Sequence, residues 1–524
     1  MSYFKSIYLF VILPIIALIY NLIPKKRQWF LLLANFVVFY IMGKFRLIFL
    51  VLSIISVYFS ARFIKKAEDK KEELLKKKDA DKKVINEKIK KKKKLILVLC
   101  LLFNVAFLVV FKYLNFFSTN INLLLNVFNV NYQFKMIHLI APMGISFYTL
   151  SAISYIVDVY NGKVEAEKSF IKVSLFLSFF PQIMEGPIAR FKDTADDLYS
   201  GKKIEHNNFI LGYQRIMYGF FKKKLIVDRI NPLVSSIFNN YASYNGLTIF
   251  MGAIAYTVML YMEFSGTMDV VVGSGQIFGI NIPENFRQPF FSKNVSEFWT
   301  RWHISLGTWF KDYIYYPISL SKPLKKLTVK LRHKLGNHYG PLISGSIALF
   351  VVWFLNGLWH GAGYTFLLFG LYHFIMIAGG NFMGPVFVKL TDKLHINREN
   401  IVYRVLQSIK MSLFVFIGEM IFRADTVKDA LGMFKGIFTR FSFNFSELSI
   451  MGLDIYDYVV IVLSVIFVFV ISLLKEKNID VNDKLSKKKL WIRWIIYYAF
   501  ILMICIFGAY GPGYEPLDPI YADF

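Results

Sequence analysis

Long apolar runs recur along the whole chain, each bounded by a short polar stretch. They fall at 5–23, 29–43, 46–63, 95–116, 137–160, 170–184, 208–228, 247–264, 268–280, 341–359, 364–383, 402–422, 456–474 and 491–508. A helix needs about 20 residues to cross a hydrocarbon core, so the pattern predicts an all-α, multi-pass membrane protein with about 11–14 membrane segments. Several runs are short or broken by Gly and Pro. Such breaks are tolerated at membrane depth where the freed backbone groups face protein or a wet cavity. Broken, tilted helices around a cavity are therefore expected. Three divisions follow: N-terminal helices over 1–130, a core over 131–430, and C-terminal helices with a short tail over 431–524.

The stretch 281–335 departs from this pattern. Its Asn281-Ile282-Pro283-Glu284-Asn285-Phe286 opening leads to Glu297-Phe298-Trp299-Thr300-Arg301-Trp302-His303-Ile304-Ser305-Leu306, then Trp309, Lys311, Asp312 and Tyr316. It is too polar to face lipid and too aromatic for a free loop. Amphipathic or re-entrant helices at the membrane interface are predicted, where Trp and Tyr are favoured.

Composition sharpens this reading. Hydrophobic residues make up 56% of the 524, with 54 Phe and 31 Tyr, and a soluble chain of this length would carry far more polar surface. The net charge of +27 invites a nucleic-acid reading, but its placement argues against one. Between Arg62 and Lys94, Arg62 and fifteen lysines face seven acids; smaller clusters stand at Lys25–Arg27, Lys222–Lys224, Lys322–Lys334 and Lys484–Arg493. Each lies beside an apolar run, as cytoplasmic loops do. Residues 63–94 read as a solvated cytoplasmic helix, supported by Glu68–Lys71, Glu72–Lys76 and Glu73–Lys77 at helical spacing. Lipid headgroups are the second reading of its charge. The first apolar run lacks a small-residue cleavage pattern and reads as a retained helix. No internal repeat is visible, which counts against an inverted-repeat transporter. Two cysteines, Cys100 and Cys505, build neither a disulfide framework nor a zinc cluster.

Candidate chemistry centres on histidine. His206, His333, His338 and His395 fall in polar stretches read as loops, and His138 opens a span. His360 closes Trp353-Phe354-Leu355-Asn356-Gly357-Leu358-Trp359-His360-Gly361-Ala362-Gly363 at the end of an apolar helix. An ionisable group there is costly and marks a functional candidate, and imidazole suits general-base work near neutral pH. Asn356, one turn earlier, is placed to orient the ring or donate to an oxyanion. The neighbouring glycines let backbone or substrate come close. A structural interfacial histidine is the competing reading of His360 and of His303; His373 reads as a core histidine. Glu263, Ser265 and Asp269 fall within the apolar core, with Glu185 and Asp158 comparable. Ion pairs with Arg190, Arg215, Arg301 or Arg423 are one reading of these acids, and a proton relay in a transporter is the other. A Gly-x-Ser-x-Gly elbow, a phosphate loop, a dinucleotide fingerprint and His-x-x-x-His metal spacing are all absent, so no metal site is expected.

Taken together, APMGISFYTLSAISYIVDVY (141–160), FFPQIMEGPIARF (179–191), the stretch from Met262 to Ile318, NGLWHGAGYTFLLFGLYH (356–373) and FRADT (422–426) resemble the bacterial membrane-bound O-acyltransferases. The likeness is to the group that acetylates alginate or peptidoglycan and the group that transfers D-alanine to teichoic acids. It covers most of 140–430. Glu263 stands where relatives often carry Asp, and Glu185 where they are usually small or apolar.

The resemblance implies a central funnel or tunnel, with His360 as the catalytic histidine and His303 as the second functional one. Trp302, Ser305, Asn356, Trp359, Gly361, Glu263, Ser265 and Asp269 are implied as supporting or tunnel-lining residues. It implies no bound cofactor. The co-substrate would be a cytoplasmic acyl thioester, acetyl-CoA or an acyl carrier protein. The acceptor would be a hydroxyl of an extracytoplasmic polymer, in a bacterial plasma membrane. Expected partners are membrane lipid and an extracytoplasmic protein, either an acetylesterase-like transferase or a teichoic acid transfer protein, and no nucleic acid. Acetyl is the first expectation and D-alanyl the alternative. A transporter of polysaccharide or lipid-linked sugar is the rival class, and a membrane scaffold would leave the glycine-flanked His360 unexplained.

Overall fold

The computed structural model describes residues 3–4, 7–77, 81–137 and 139–510. His138 and the tail 511–524 lie outside them. Among the described residues no strand forms, and one isolated antiparallel bridge joins Phe286 to Trp302. Eight helical runs are long and apolar enough to cross a membrane, with two shorter apolar helices, Tyr8–Leu22 and Ile145–Tyr160. The protein is an all-α, multi-pass membrane protein. Its exposed faces carry many large apolar side chains, among them Phe10, Leu33, Phe103, Ile466 and Trp491, as a lipid-facing surface requires.

Two compact units divide the chain. Of the described residues, the first holds those up to Gln214 with Val271–Pro283; the second holds Arg215–Val270 and Glu284–Tyr510.

In the first unit the lysine-rich segment departs from expectation. It is the tip of a helical hairpin, Leu47–Leu75 against Lys82–Leu108. Glu68 accepts from Lys71 at 2.9 Å and, across the hairpin, from Lys93 at 2.7 Å. Asp81 caps the second helix by accepting from the amides of Lys83 and Val84. The two apolar runs simply extend as helices beyond the hydrocarbon, because alternating acids and lysines solvate them. The run predicted over 170–184 is helical only across Phe170–Ser178. The irregular chain that follows is buried, and its amides find partners: Phe180 donates to Asn35 Oδ1 and Met184 to the Tyr3 hydroxyl.

The second unit corrects the sequence reading in three places. The runs 247–264 and 268–280 belong to one helix, Gly246–Ile277: the residues between them are buried, and Ser265 accepts from Lys222, instead of turning the chain. Lys222 and Lys223 do not flank a span in a loop. They are buried in a π-turn, Lys222–Val227, that continues into the helix Asp228–Asn239. His333 and His338 are helical, within Lys322–His360, a run broken at Gly336 where φ is 80°. Past that break the helix crosses Tyr364–Lys393 closely. A methyl on Gly357 would strike the Phe366 carbonyl, and one on Gly370 the Trp353 carbonyl.

Candidate active site

The 281–335 stretch folds into two short helices, Val295–Arg301 and Ile304–Phe310, that meet at Trp302-His303. Asn294 starts the first by accepting from the Glu297 amide at 2.8 Å. Phe298, Trp302 and Trp309 are buried, so this aromatic stretch is packed inside the unit. His303 caps the second helix with φ 48° and ψ 49°. A non-glycine residue in this left-handed region costs about 1–3 kcal/mol and persists where its surroundings hold it.

Asn285 does the holding. Its carbonyl oxygen on the backbone accepts from the Ile304 amide at 3.0 Å. Its side-chain Oδ1 accepts from the Ser305 amide at 3.0 Å and the Ser305 hydroxyl at 2.9 Å, and lies 3.3 Å from His303 Nδ1. Because the Ser305 amide can only donate, that Asn285 atom is an acceptor, and His303 Nδ1 must carry the proton. Nε2 is then the basic nitrogen. Burial pushes the imidazole down to about 3, which keeps it neutral.

His360 ends its helix against Phe422 and Phe369, with ring centroids 5.2 and 5.8 Å away. The Trp359 ring lies 4.9 Å from His360 and 5.7 Å from His303. Both histidines line one cavity of about 360 Å³. Two helical faces frame it. One runs His303, Gly307, Lys311, Tyr315; the other runs His360, Asn356, Val352, Leu349. Residues four apart share a helix face, so each face ends on a histidine. At the opposite end the Tyr315 hydroxyl would lie 3.3 Å from a methyl on Gly345, one turn below Leu349. The cavity is therefore a channel, about 16 Å long from Leu349 to His360 at 1.5 Å rise per residue. Trp299, Trp302 and Trp353 complete its walls. Among the described residues Asn356 Oδ1 has no hydrogen-bond donor, although the residue is only 8% exposed.

Of the residues singled out in the sequence, His303, His360, Asn356 and Trp302 thus line one channel. Trp359 stands between the two histidine rings, and Ser305 acts behind His303 through Asn285. Gly361 is covered by the Phe366 ring, so its missing side chain admits protein. Glu263, Ser265 and Asp269 do not line this channel. Lys222 bonds Asp269 at 2.7 Å and Ser265 at 3.0 Å, while Arg215 reaches Asp269 at 3.2 Å and clamps Glu284 with two bonds of 2.6 Å. These groups edge a separate cavity of about 50 Å³. Glu263, fully buried, lies 3.8 Å from Lys223, which also faces Asp228 at 3.4 Å. His373 accepts from Trp299 Nε1 at 3.2 Å in the core, the role read for it in the sequence.

Sequence reasoning missed Asn285 and the buried lysines. The lysines carried a signal: intramembrane carboxylates at Glu263 and Asp269 demanded cations, and Lys222 and Lys223 were available. Asn285 carried none, because its role depends on a contact across 18 residues.

Comparison with known proteins bears on the family. Residues 96–331 match the membrane-bound O-acyltransferase family. The chain is 34% identical over 355 residues to the Pseudomonas aeruginosa protein named "Probable alginate O-acetylase AlgI", covering 67% of this chain and 62% of that one. It is 31% identical over 372 residues to the peptidoglycan O-acetyltransferase of Helicobacter pylori, covering 65% and 64%. To the teichoic acid D-alanyltransferase of Bacillus subtilis it is 32% identical over 251 residues, covering 47% and 60%. Each match takes in less than two thirds of the relative's own length. A buried histidine pair lining an aromatic channel stands beside these sequence matches, and the matches show that the chain belongs to the membrane-bound O-acyltransferases.

Proposed function

We propose that the protein is an O-acyltransferase of the bacterial plasma membrane. It moves an acyl group, acetyl in the first instance, from a cytoplasmic thioester to a hydroxyl of an extracytoplasmic polysaccharide or cell-wall polymer. The donor is acetyl-CoA or an acyl carrier protein, and a separate extracytoplasmic protein receives or positions the polymer. The observation that carries this reading is the single channel on which His303 and His360 converge.

In the reaction His360 takes the proton of the acceptor hydroxyl as its oxygen attacks the thioester carbonyl carbon. A carbon–oxygen bond forms and a tetrahedral oxyanion builds up, to which Asn356 Nδ2 is placed to donate. The carbon–sulfur bond then breaks, and the thiolate takes the proton back from His360. His303, neutral and held by Asn285, orients the acceptor through Nε2. The apolar walls exclude water, which would otherwise hydrolyse the donor.

D-alanyl transfer to teichoic acid is the second reading, favoured by the similarity to the Bacillus subtilis relative. Proton-coupled transport is disfavoured, because Asp269 and Glu263 sit opposite lysines as ion pairs do. The test compares surface polymers from cells with and without the gene by mass spectrometry after mild base release. Loss of base-labile acetyl supports the proposal and loss of D-alanine supports the second reading. An unchanged acyl content overturns both.

A further inference from the structure

The charge on the lysine-rich hairpin is graded along its length. Residues 88–94 hold six lysines and no acid, whereas residues 70–87 set seven lysines against five acids. The excess therefore gathers at the base, where the apolar run of the Lys82–Leu108 helix begins at Leu95. Lys93 is committed to Glu68. Lys88, Lys90, Lys91, Lys92 and Lys94 are exposed, and among the described residues none of them has a carboxylate within 4 Å. Like charges three and four apart on a helix repel one another, so this turn calls for anions from outside the chain. It ends before residue 96, where the match to the acyltransferase family begins, and acyl transfer does not account for it.

Helix geometry decides which anions. On one face of this helix Lys93, Cys100 and Asn104 reach Glu68, Ser56 and Ser53 of the Leu47–Leu75 helix. Another face runs Lys88, Lys91, Leu95, Val98 and Leu102 at spacings of three and four, and its three apolar side chains are exposed. In a membrane those side chains meet hydrocarbon, so the lysines continue the lipid-facing stripe into the headgroup layer. At 1.5 Å per residue Lys88 stands about 10 Å beyond Leu95, and Lys82 about 20 Å. Exposed charges act over about 8 Å at physiological ionic strength. The base therefore senses the membrane surface and the tip does not. A soluble acidic partner would call for the opposite grading, with the charge at the protruding tip.

We infer that Lys88, Lys90, Lys91, Lys92 and Lys94 form a binding site for anionic phospholipid headgroups at the cytoplasmic face. Each ammonium is a compact charge with three rotatable donors, suited to the phosphate oxygens of laterally mobile lipids. The stems lie along apolar surface while the charged ends reach the phosphates. The inference does not depend on the acyl-transfer reading.

The test is native mass spectrometry of the full-length protein released from nanodiscs of equal phosphatidylglycerol and phosphatidylcholine, counting the lipids each molecule retains. Wild type should retain phosphatidylglycerol in preference. The combined base variant Lys90→Gln, Lys91→Gln, Lys92→Gln, Lys94→Gln should lower that preference by at least about fivefold, the scale of one lysine at an anionic surface. The tip variant Lys76→Gln, Lys77→Gln, Lys82→Gln, Lys83→Gln removes the same charge and should leave the preference unchanged. A preference that survives the base variant, or falls equally in both, overturns the inference. Lys90→Arg, Lys91→Arg, Lys92→Arg, Lys94→Arg, which keeps the charge, should keep the preference, and its loss there counts equally against the site. Poly-glutamate probes the rival partner. If it binds wild type in phosphatidylcholine nanodiscs and the base variant loses that binding while its lipid preference stays intact, the run belongs to an acidic protein instead. Thermal unfolding in phosphatidylcholine should match wild type in every variant, since Gln, Arg and Lys are comparable helix formers.

Discussion

Two groups of buried polar side chains in the second unit end up in opposite situations. Around Asp269 the charges are matched in pairs: Lys222 and Arg215 face the carboxylate, and Glu284 faces the guanidinium. Around the histidines the surroundings are aromatic rings, two carboxamides and an open channel. A satisfied network has no capacity left for a substrate and serves the fold. A polar group held rigidly at the edge of space is available for chemistry. Both groups look alike in the sequence, as ionisable residues in apolar runs.

The contrast predicts separable failures. His360→Ala should lower acyl transfer by about 10²- to 10⁴-fold, the usual contribution of a positioned base, with thermal stability unchanged. Transfer assayed in membranes with matched expression checks this, and near-wild-type activity would remove His360 from the reaction. Lys222→Ala should do the reverse. Leaving Asp269 buried without its closest cation costs about 3–5 kcal/mol. Yield and unfolding temperature should fall while activity per folded molecule changes little. A stable but inactive Lys222→Ala protein would move this network into the chemistry.

Asn285→Ala joins the two classes. It strands the Ser305 donors and frees the His303 ring, costing about 1–3 kcal/mol and lowering transfer with a changed pH profile. Asn285→Asp, which keeps the acceptor, should restore much of both. Equal loss in the two variants would break the assignment of Asn285 as a positioning residue.

A separate effect is expected on the pH dependence of stability. The His303 ring, depressed by burial, takes up a proton in the unfolded chain near pH 6.5 but in the folded protein only at about 3. Its contribution to stability is therefore present above pH 6.5 and lost as pH falls toward 3. His303→Gln should flatten that part of the pH–stability curve, and an unaltered slope would contradict the neutral, buried ring.

Much of the membrane architecture was legible because it depends on composition and local periodicity. Runs of apolar residues long enough to span a bilayer, and the basic clusters beside them, need no tertiary contact to be recognised. The illegible parts are those where long-range packing decides. Lys222 and Lys223 looked like loop charges beside a span, yet Asp269 and Glu263, 40 or more residues away, draw them into the interior. The lysine-rich 63–94 segment read as one helix, since nothing local reveals that Lys93 closes on Glu68.

The amino-acid sequence by itself determined that this protein lives in a membrane, and it marked His360 and His303, because an ionisable group among apolar neighbours is rare and conspicuous. Tertiary structure alone decided that the two histidines close one channel, that Asn285 selects the tautomer of His303, and that Asp269 belongs to an ion-pair network instead. Each of those outcomes depends on which helices cross, and a hydrogen bond or a cavity exists only once they do.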